Sequence, residues 1–195
     1  MNSHRSGVFL SASFPAGERA DHFPPSDPAS MADAIVALSR EILRRNGLIV
    51  CGGHPTITPL LLYVCAEQGA RDSLIVYQSE RFRDAVPEET HRLSEEGWAT
   101  LRFTASTGDR VRDLETMRIE MLSDRPLIGG IFVGGMEGIL DEYTLFESYA
   151  PGSPRFALAA PGGAAATLVS ASFPFDLASP RYPVVARQVV NSLGL

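Results

Sequence analysis

The stretch IFVGGMEGILDEY, residues 131–143, predicts a buried strand, a glycine turn and the start of a helix. Its apolar opening, with Leu127 and Ile128 before it, is typical of a strand covered on both faces of a parallel sheet. Glycines in the turn let the backbone pass close to a ligand, and the N-terminus of the following helix favours an anionic group. A phosphate-bearing ligand is therefore the first hypothesis for this turn.

Two acids in the opening turns of that helix point to a second possibility. Asp141 and Glu142 compete with phosphate for the positive field at the helix N-terminus. Carboxylates at this place suit a sugar hydroxyl or a general acid/base role. The alternative is a tight strand-to-helix turn whose acids only complement the helix dipole. The turn by itself leaves these interpretations open.

Length and composition limit the classes of protein that this chain can belong to. With 195 residues, 45% of them hydrophobic and 21% charged, we expect one packed domain over residues 1–195. All seventeen basic residues are arginines, which excludes a Schiff-base lysine and a Walker-type phosphate lysine. A net charge of −6 without a basic run does not favour nucleic-acid binding. The apolar segments are shorter than the roughly 20 residues of a membrane span, so we expect a cytoplasmic protein without membrane partners.

Short apolar runs alternate with helical patterns along the chain. Strands alternating with helices predict an α/β fold, with a mostly parallel sheet of about six or seven strands between two layers of helices. The predicted strands are Val8–Phe14, Leu48–Cys51, Ser73–Tyr77, Ala99–Thr104, Leu127–Val133 and Arg155–Ala160.

Small and polar residues follow one predicted strand after another. Ligands of parallel sheets bind at the carboxyl ends of the strands. Turn geometry alone explains some of the glycine, but three Gly-Gly turns at one edge favour a ligand site. The predicted ligand-binding residues are Ser11, Ser13, Gly52, Gly53, His54, Gln78, Ser79, Gly134, Gly135, Met136, Glu137, Gly138, Gly162 and Gly163.

Several of these residues have a structural alternative. The hydroxyls of Ser11 and Ser13 either bind a ligand or cap the end of a strand. His54, held in a turn before Pro55, is either structural or a phosphate ligand when it is protonated. The sequence shows no cluster of His, Cys, Asp and Glu with the spacing of metal ligands, so we expect no metal site. We also expect no required cofactor beyond the nucleotide-like ligand.

Four features follow one another along the chain: the opening strand with Ser11 and Ser13, the turn Cys51–Pro55, the segment Met117–Met121 with Ser123-Asp124, and the turn Gly134–Gly138 with Glu142. In this order they resemble the SMF/DprA–LOG (SLOG) superfamily of Rossmann-like domains. The resemblance covers nearly the whole chain.

Within that superfamily, LOG-type enzymes hydrolyse the N-glycosidic bond of nucleoside 5′-monophosphates with a glutamate and an upstream arginine. The resemblance places these roles at Glu142 and Arg118. The chain departs from the LOG signature, because Val133 stands in place of a proline, an extra residue separates Gly135 from Gly138, and Ile139 stands in place of a threonine. The LOG-type hydrolase is therefore the second hypothesis.

The sequence looks more like the SLOG domains of bacterial nucleotide-signalling and conflict (defence) systems. That resemblance implies a sensor that binds a nucleotide or an NAD- or ADP-ribose-like ligand at the carboxyl edge of the sheet. A sensor needs an output, so the resemblance also implies a homodimer or larger homo-oligomer, or else a separate effector protein. A weaker alternative is a non-catalytic interaction protein whose glycine turns serve packing alone.

Overall fold

The computed structural model describes residues 5–168 and 173–195. Residues 1–4 and 169–172 of the predicted domain lie outside the described part. The strands are β1 Gly7–Ser13, β2 Leu48–Gly52, β3 Leu74–Ser79, β4 Thr100–Thr104, β5 Leu127–Gly134 and β6 Arg155–Leu158. The α-helices are α1 Pro28–Arg44, α2 Ile57–Glu67, α3 Glu88–Glu95, α4 Arg110–Ser123, α5 Glu137–Tyr149 and α6 Tyr182–Ser192, and short 3₁₀ helices span Glu18–His22, Glu80–Ala85 and Ala164–Thr167.

In the described residues, six strands form one sheet in the order β4-β3-β2-β1-β5-β6. Every recorded pairing between neighbouring strands is parallel. The predicted α/β class and the parallel sheet are confirmed. The apolar runs explain this arrangement, because a strand that carries helices on both faces must be apolar on both sides.

Helices cover both faces of the sheet, as predicted. On one face α1 packs against α2 and α6, and Ile35, Leu61 and Val189 are fully buried there. On the other face α4 packs against α5 over the aromatic cluster of Phe9, Phe132 and Phe146. Phe9 stacks on Phe146 with their ring centroids 5.8 Å apart. The two buried layers hold the sheet in place from either side.

Local signals set the beginnings of the helices. The Asp27 side chain accepts a hydrogen bond from the Ala29 N–H, and Pro28 occupies the first position of α1. Asp109 likewise caps α4. The small residues after Gly163 form a short 3₁₀ helix, and Pro183 lies in the first turn of α6, because proline lacks only an N–H that is unpaired there anyway.

The strand order creates a crevice beside β1. From β1 the chain adds β2, β3 and β4 outward on one side, then returns to place β5 on the other side of β1. The connections after β1 and after β5 therefore leave the sheet in opposite directions. In an open parallel sheet this reversal is the usual position of a ligand site.

Candidate functional site

A cavity of about 170 Å³ lies at that crevice. We call it the switch-point cavity. The ends of β1 and β2, the start of α2, one side of α4 and the first turns of α5 surround it. The structure brings together eight of the sequence-predicted residues in its lining, namely Ser11, Ser13, Gly52, Gly53, His54, Arg118, Gly138 and Glu142.

The Glu142 carboxylate is bound by two residues that are distant in sequence. Ser11 Oγ donates a hydrogen bond of 2.6 Å to Glu142 Oε2, and Arg118 Nε donates one of 3.4 Å to Glu142 Oε1. Arg118 also forms an ion pair with Asp141 at 3.1 Å. The Arg118 and Glu142 side chains are each 16% exposed. Strand β1 and helices α4 and α5 thus converge on one polar cluster that remains open to the cavity.

Burial raises the pKa of the Glu142 carboxyl above its ordinary value, because the charged form loses water. The hydrogen bond from Ser11 and the positive charge of Arg118 oppose this effect, and the nearby Asp141 carboxylate reinforces it. A carboxyl with a raised pKa can give up or accept a proton closer to neutral pH than an exposed one. The cluster can therefore either bind hydroxyl groups or transfer a proton.

His54 is tied to the start of α2. Its Nδ1 accepts hydrogen bonds from the N–H groups of Thr56 at 3.2 Å and Ile57 at 3.4 Å. An Nδ1 that accepts carries no proton, so the neutral imidazole holds its proton on Nε2. Burial lowers the pKa of His54 below 6.5. The geometry therefore favours a neutral His54 that caps a helix over a protonated phosphate ligand, and leaves Nε2–H as its donor.

Cys51 also lines the switch-point cavity. It is 2% exposed, and burial raises the pKa of its thiol, an effect to which Cys65 and Glu142 add. A thiol that stays protonated is a poor nucleophile. Cys51 therefore belongs to the wall of the cavity.

The other predicted glycine turns pack against each other and against the proline-rich segment that precedes α1. Gly134, Gly135, Gly162 and Gly163 all have positive φ angles, between 66° and 79°. A Cβ on Gly163 would lie 2.7 Å from the carbonyl carbon of Gly134, and one on Gly162 would lie 2.0 Å from the Pro25 oxygen. Close backbone packing therefore accounts for glycine at these positions, and their role in ligand binding stays a prediction.

The remaining predicted residues lie around the cavity. The Ser79 hydroxyl is fully buried and accepts a hydrogen bond from the Arg81 N–H, so it caps the 3₁₀ helix after β3. Gln78 Nε2 donates to the Gly53 oxygen at 3.3 Å. Met136 precedes α5 without capping it through its side chain. Glu137 is half exposed and pairs with Arg19 at 3.6 Å, so Glu142 is the acid that reaches the cavity.

A second cavity, of about 330 Å³, adjoins the first, and sequence reasoning missed it. We call it the apolar cavity. It is lined by the 3₁₀ helix after β3, by α3 and by the sheet side of α4, and it shares Gly53, His54, Leu114 and Met117 with the switch-point cavity. The one signal in the sequence was Phe82 followed by Val86, an apolar pair at helical spacing in an otherwise charged segment.

Among residues 5–168 and 173–195, no group of three or more His, Cys, Asp and Glu side chains is placed to hold a metal ion. In the same part of the chain, no helix combines the length and the apolar character needed to cross a membrane.

The sheet order, the crevice beside β1 and the polar cluster in it define a Rossmann-like α/β domain with a candidate ligand site at its topological switch point. Residues 21–179 match the SLOG cluster3 family. The chain belongs to that family, and the resemblance to the SLOG superfamily is confirmed. A search of curated proteins returned no match.

Proposed function

We propose that this protein binds a nucleotide or a nucleotide-derived ligand, such as an NAD- or ADP-ribose-like molecule, in the switch-point cavity and acts as a sensor of it. The observation that carries the proposal is the cluster of Ser11, Arg118 and Glu142 in the crevice of a SLOG-family fold. Such a cluster offers acceptors and donors within one small cavity.

The carboxylate suits a ribose. In dinucleotide-binding sheets an acid near the crevice accepts hydrogen bonds from a ribose hydroxyl. Glu142 Oε2 already accepts a hydrogen bond from the Ser11 hydroxyl at 2.6 Å, which is the same interaction that a sugar hydroxyl would make. A ribose hydroxyl can therefore join this pair while Ser11 still donates to Glu142, without rearranging the backbone.

Arg118 and the start of α5 suit a phosphate. Arginine binds phosphate through two parallel hydrogen bonds. The side chain of Met136 does not cap α5, and Gly138 in its first turn borders the cavity. The first N–H groups of a helix and its positive dipole end also favour anions. Phosphate binding would draw Arg118 away from Asp141, its exposed partner at 3.1 Å.

Calorimetry and thermal-shift measurements with AMP, NAD and ADP-ribose test this proposal. We expect at least one of them to bind and to raise the melting temperature, and Glu142→Gln to weaken binding at least tenfold. Glu147→Gln, the same change at a 51% exposed position of α5, is the matched control and should bind as the wild type does. If no nucleotide binds, the proposal fails.

A second candidate is a hydrolase of the nucleotide N-glycosidic bond. The raised pKa of Glu142 favours this candidate, since it makes the carboxyl a more suitable general acid, and the Arg118 guanidinium lies beside it. Chromatography of nucleoside 5′-monophosphates incubated with the protein tests it. Release of free base that Glu142→Gln abolishes would support a hydrolase. Binding of a nucleotide without release of its base would argue against the hydrolase and in favour of the sensor.

A sensor needs an output, and we propose that a homo-oligomer or a separate effector protein provides it. Light scattering coupled to size-exclusion chromatography, with and without the bound nucleotide, tests this part. A change of molar mass on ligand addition would support it. A monomer in both conditions would leave only a separate effector.

A further inference from the structure

The apolar cavity has no counterpart among the features predicted from the sequence. Its walls come from β3, β4, the segment after β3, α3 and α4, with Phe82, Val86, Pro87, Leu101, Leu114 and Met117 as the main apolar lining. A volume of about 330 Å³ lies at the lower end of small-ligand pockets, which measure about 300–1,000 Å³. The cavity is therefore large enough for one ring system and unsuited to a charged group.

One polar atom in this lining lacks a partner. Thr90 lies in α3, is 1% exposed and lines the cavity. Its Oγ1 is buried and forms no hydrogen bond within the part of the chain that the structure describes. A buried hydroxyl without a partner is unfavourable, and such groups usually have an explanation. A ligand with a hydrogen-bonding edge would give Thr90 its partner.

The two cavities are continuous in their lining. Gly53, His54, Leu114 and Met117 belong to both, so one molecule can extend from the polar cluster into the apolar space. His54 stands at this boundary with Nδ1 engaged by the start of α2, which leaves Nε2–H to donate. A molecule with a polar sugar at one end and a flat ring at the other matches this division.

We infer that the apolar cavity holds the heterocyclic ring of the ligand and that Thr90 reads the hydrogen-bonding edge of that ring. This inference rests on the proposed function, because it takes the sugar of the same ligand to lie beside Glu142. The ring would stack between the apolar side chains of α4 and those of the segment after β3. Thr90 is then a specificity-determining residue for the ring.

The experiment compares AMP, GMP and UMP with ribose 5-phosphate, which has the same sugar phosphate and no ring. Val86→Trp places a large side chain in the apolar cavity, and Val184→Trp, at a 50% exposed position of α6, is the matched control. We expect Val86→Trp to weaken binding of the nucleotides more than tenfold and to leave ribose 5-phosphate unchanged. Val184→Trp should bind all four as the wild type does.

Thr90→Val gives an independent measurement, because it keeps the shape of the side chain and removes the hydroxyl. We expect the affinity for the best-binding nucleotide to fall about fivefold to tenfold, which corresponds to one lost hydrogen bond. The melting temperature of the unliganded variant should equal or exceed that of the wild type, because an unpaired buried hydroxyl has been removed.

The outcomes separate the two proposals. Nucleotide binding that neither Val86→Trp nor Thr90→Val weakens would overturn the inference and leave the proposed function standing. A wild-type protein that binds none of these four molecules, and neither NAD nor ADP-ribose, would overturn both.

Discussion

Ser11 Oγ and Glu142 Oε2 form a hydrogen bond of 2.6 Å across 131 residues of sequence. The bond joins the end of β1 to the second turn of α5, and Arg118 of α4 contacts the other carboxylate oxygen. Three elements that meet only in the folded sheet thus fix one carboxylate at the mouth of the crevice. The pH dependence of stability should report on this arrangement.

The raised pKa of Glu142 predicts that the contribution of this carboxyl to stability falls as pH rises. The folded protein holds this proton above the ordinary carboxyl pKa of 4.5, at which the unfolded chain has begun to release it. The contribution to stability is therefore complete below 4.5 and is lost as pH rises through the raised pKa. Denaturant titrations between pH 4 and pH 8 should show the free energy of unfolding of Glu142→Gln gaining on that of the wild type as pH rises. Glu115→Gln, an exposed change on α4, supplies the baseline, and parallel curves for wild type and Glu142→Gln would contradict the prediction.

The lowered pKa of His54 changes the stability with pH in the opposite direction. The unfolded chain takes up a proton near pH 6.5 while the folded protein does not, so this contribution is present above pH 6.5 and is lost as pH falls. His54→Ala should flatten the fall of stability on the acidic side of 6.5, and it should lower stability at pH 8 by about 1 kcal/mol because the start of α2 loses its cap. Nitrogen NMR of the wild-type imidazole at pH 7 should show the Nε2–H tautomer, and the Nδ1–H tautomer would contradict this geometry.

Alanine substitutions at Gly163 and at Gly17 distinguish the cost of an unfavourable φ angle from the cost of close backbone packing. Both have positive φ angles, 70° and 68°, but a Cβ on Gly17 would meet no atom within 4 Å. Gly17→Ala should cost about 1 kcal/mol for the unfavourable φ alone. Gly163→Ala also pushes against the Gly134 backbone and should cost more than about 3 kcal/mol. Equal losses in the free energy of unfolding for the two variants would show that the turn at Gly163 is not in close contact with the turn at Gly134.

Asp113 should hold the loop before α4 in place. Its carboxylate is fully buried and accepts hydrogen bonds from Ser106 Oγ at 2.6 Å, Thr107 N at 2.6 Å and Thr107 Oγ1 at 2.9 Å. These bonds, that of Ser106 first, lower the pKa of Asp113 below 3.8. The contribution to stability is then present above pH 3.8 and lost as pH falls further. Asp113→Asn should destabilise the protein strongly at pH 7 and less at pH 3, whereas the exposed Asp21→Asn should change little at either pH.

The strands and the arrangement of helices on both faces of the sheet could be predicted from the sequence. Each predicted strand overlaps an observed one, because buried parallel strands need apolar runs on both faces. Asp27 with Pro28, and Asp109, mark helix starts through local hydrogen bonds that depend on neighbouring residues alone. Apolar runs and helix caps depend on a few neighbouring residues, so they can be recognised without knowledge of the tertiary structure.

The candidate site was predicted in part, because the crevice at the carboxyl edge follows from the sheet topology whereas the apolar cavity depends on tertiary packing. The carboxyl edge of a parallel sheet follows from topology, and the structure brings the predicted Ser11, Gly52 and Gly53 together beside the crevice. The choice of Glu142 over Glu137 depends on the direction of each side chain from α5, which the spacing left open. The apolar cavity depends on how the segment after β3 packs against α4, and no local pattern specifies that contact.

The measurement that tests the central claim most directly is a calorimetric titration of the wild type, Ser11→Ala and Glu142→Gln with AMP and ADP-ribose. Wild-type protein should bind at least one of them with a single site per chain, and each variant should lose at least tenfold in affinity, because the ribose would lose its partners in the crevice. Glu147→Gln should titrate as the wild type does. Binding of equal affinity in the wild type and in both cavity variants would contradict the account.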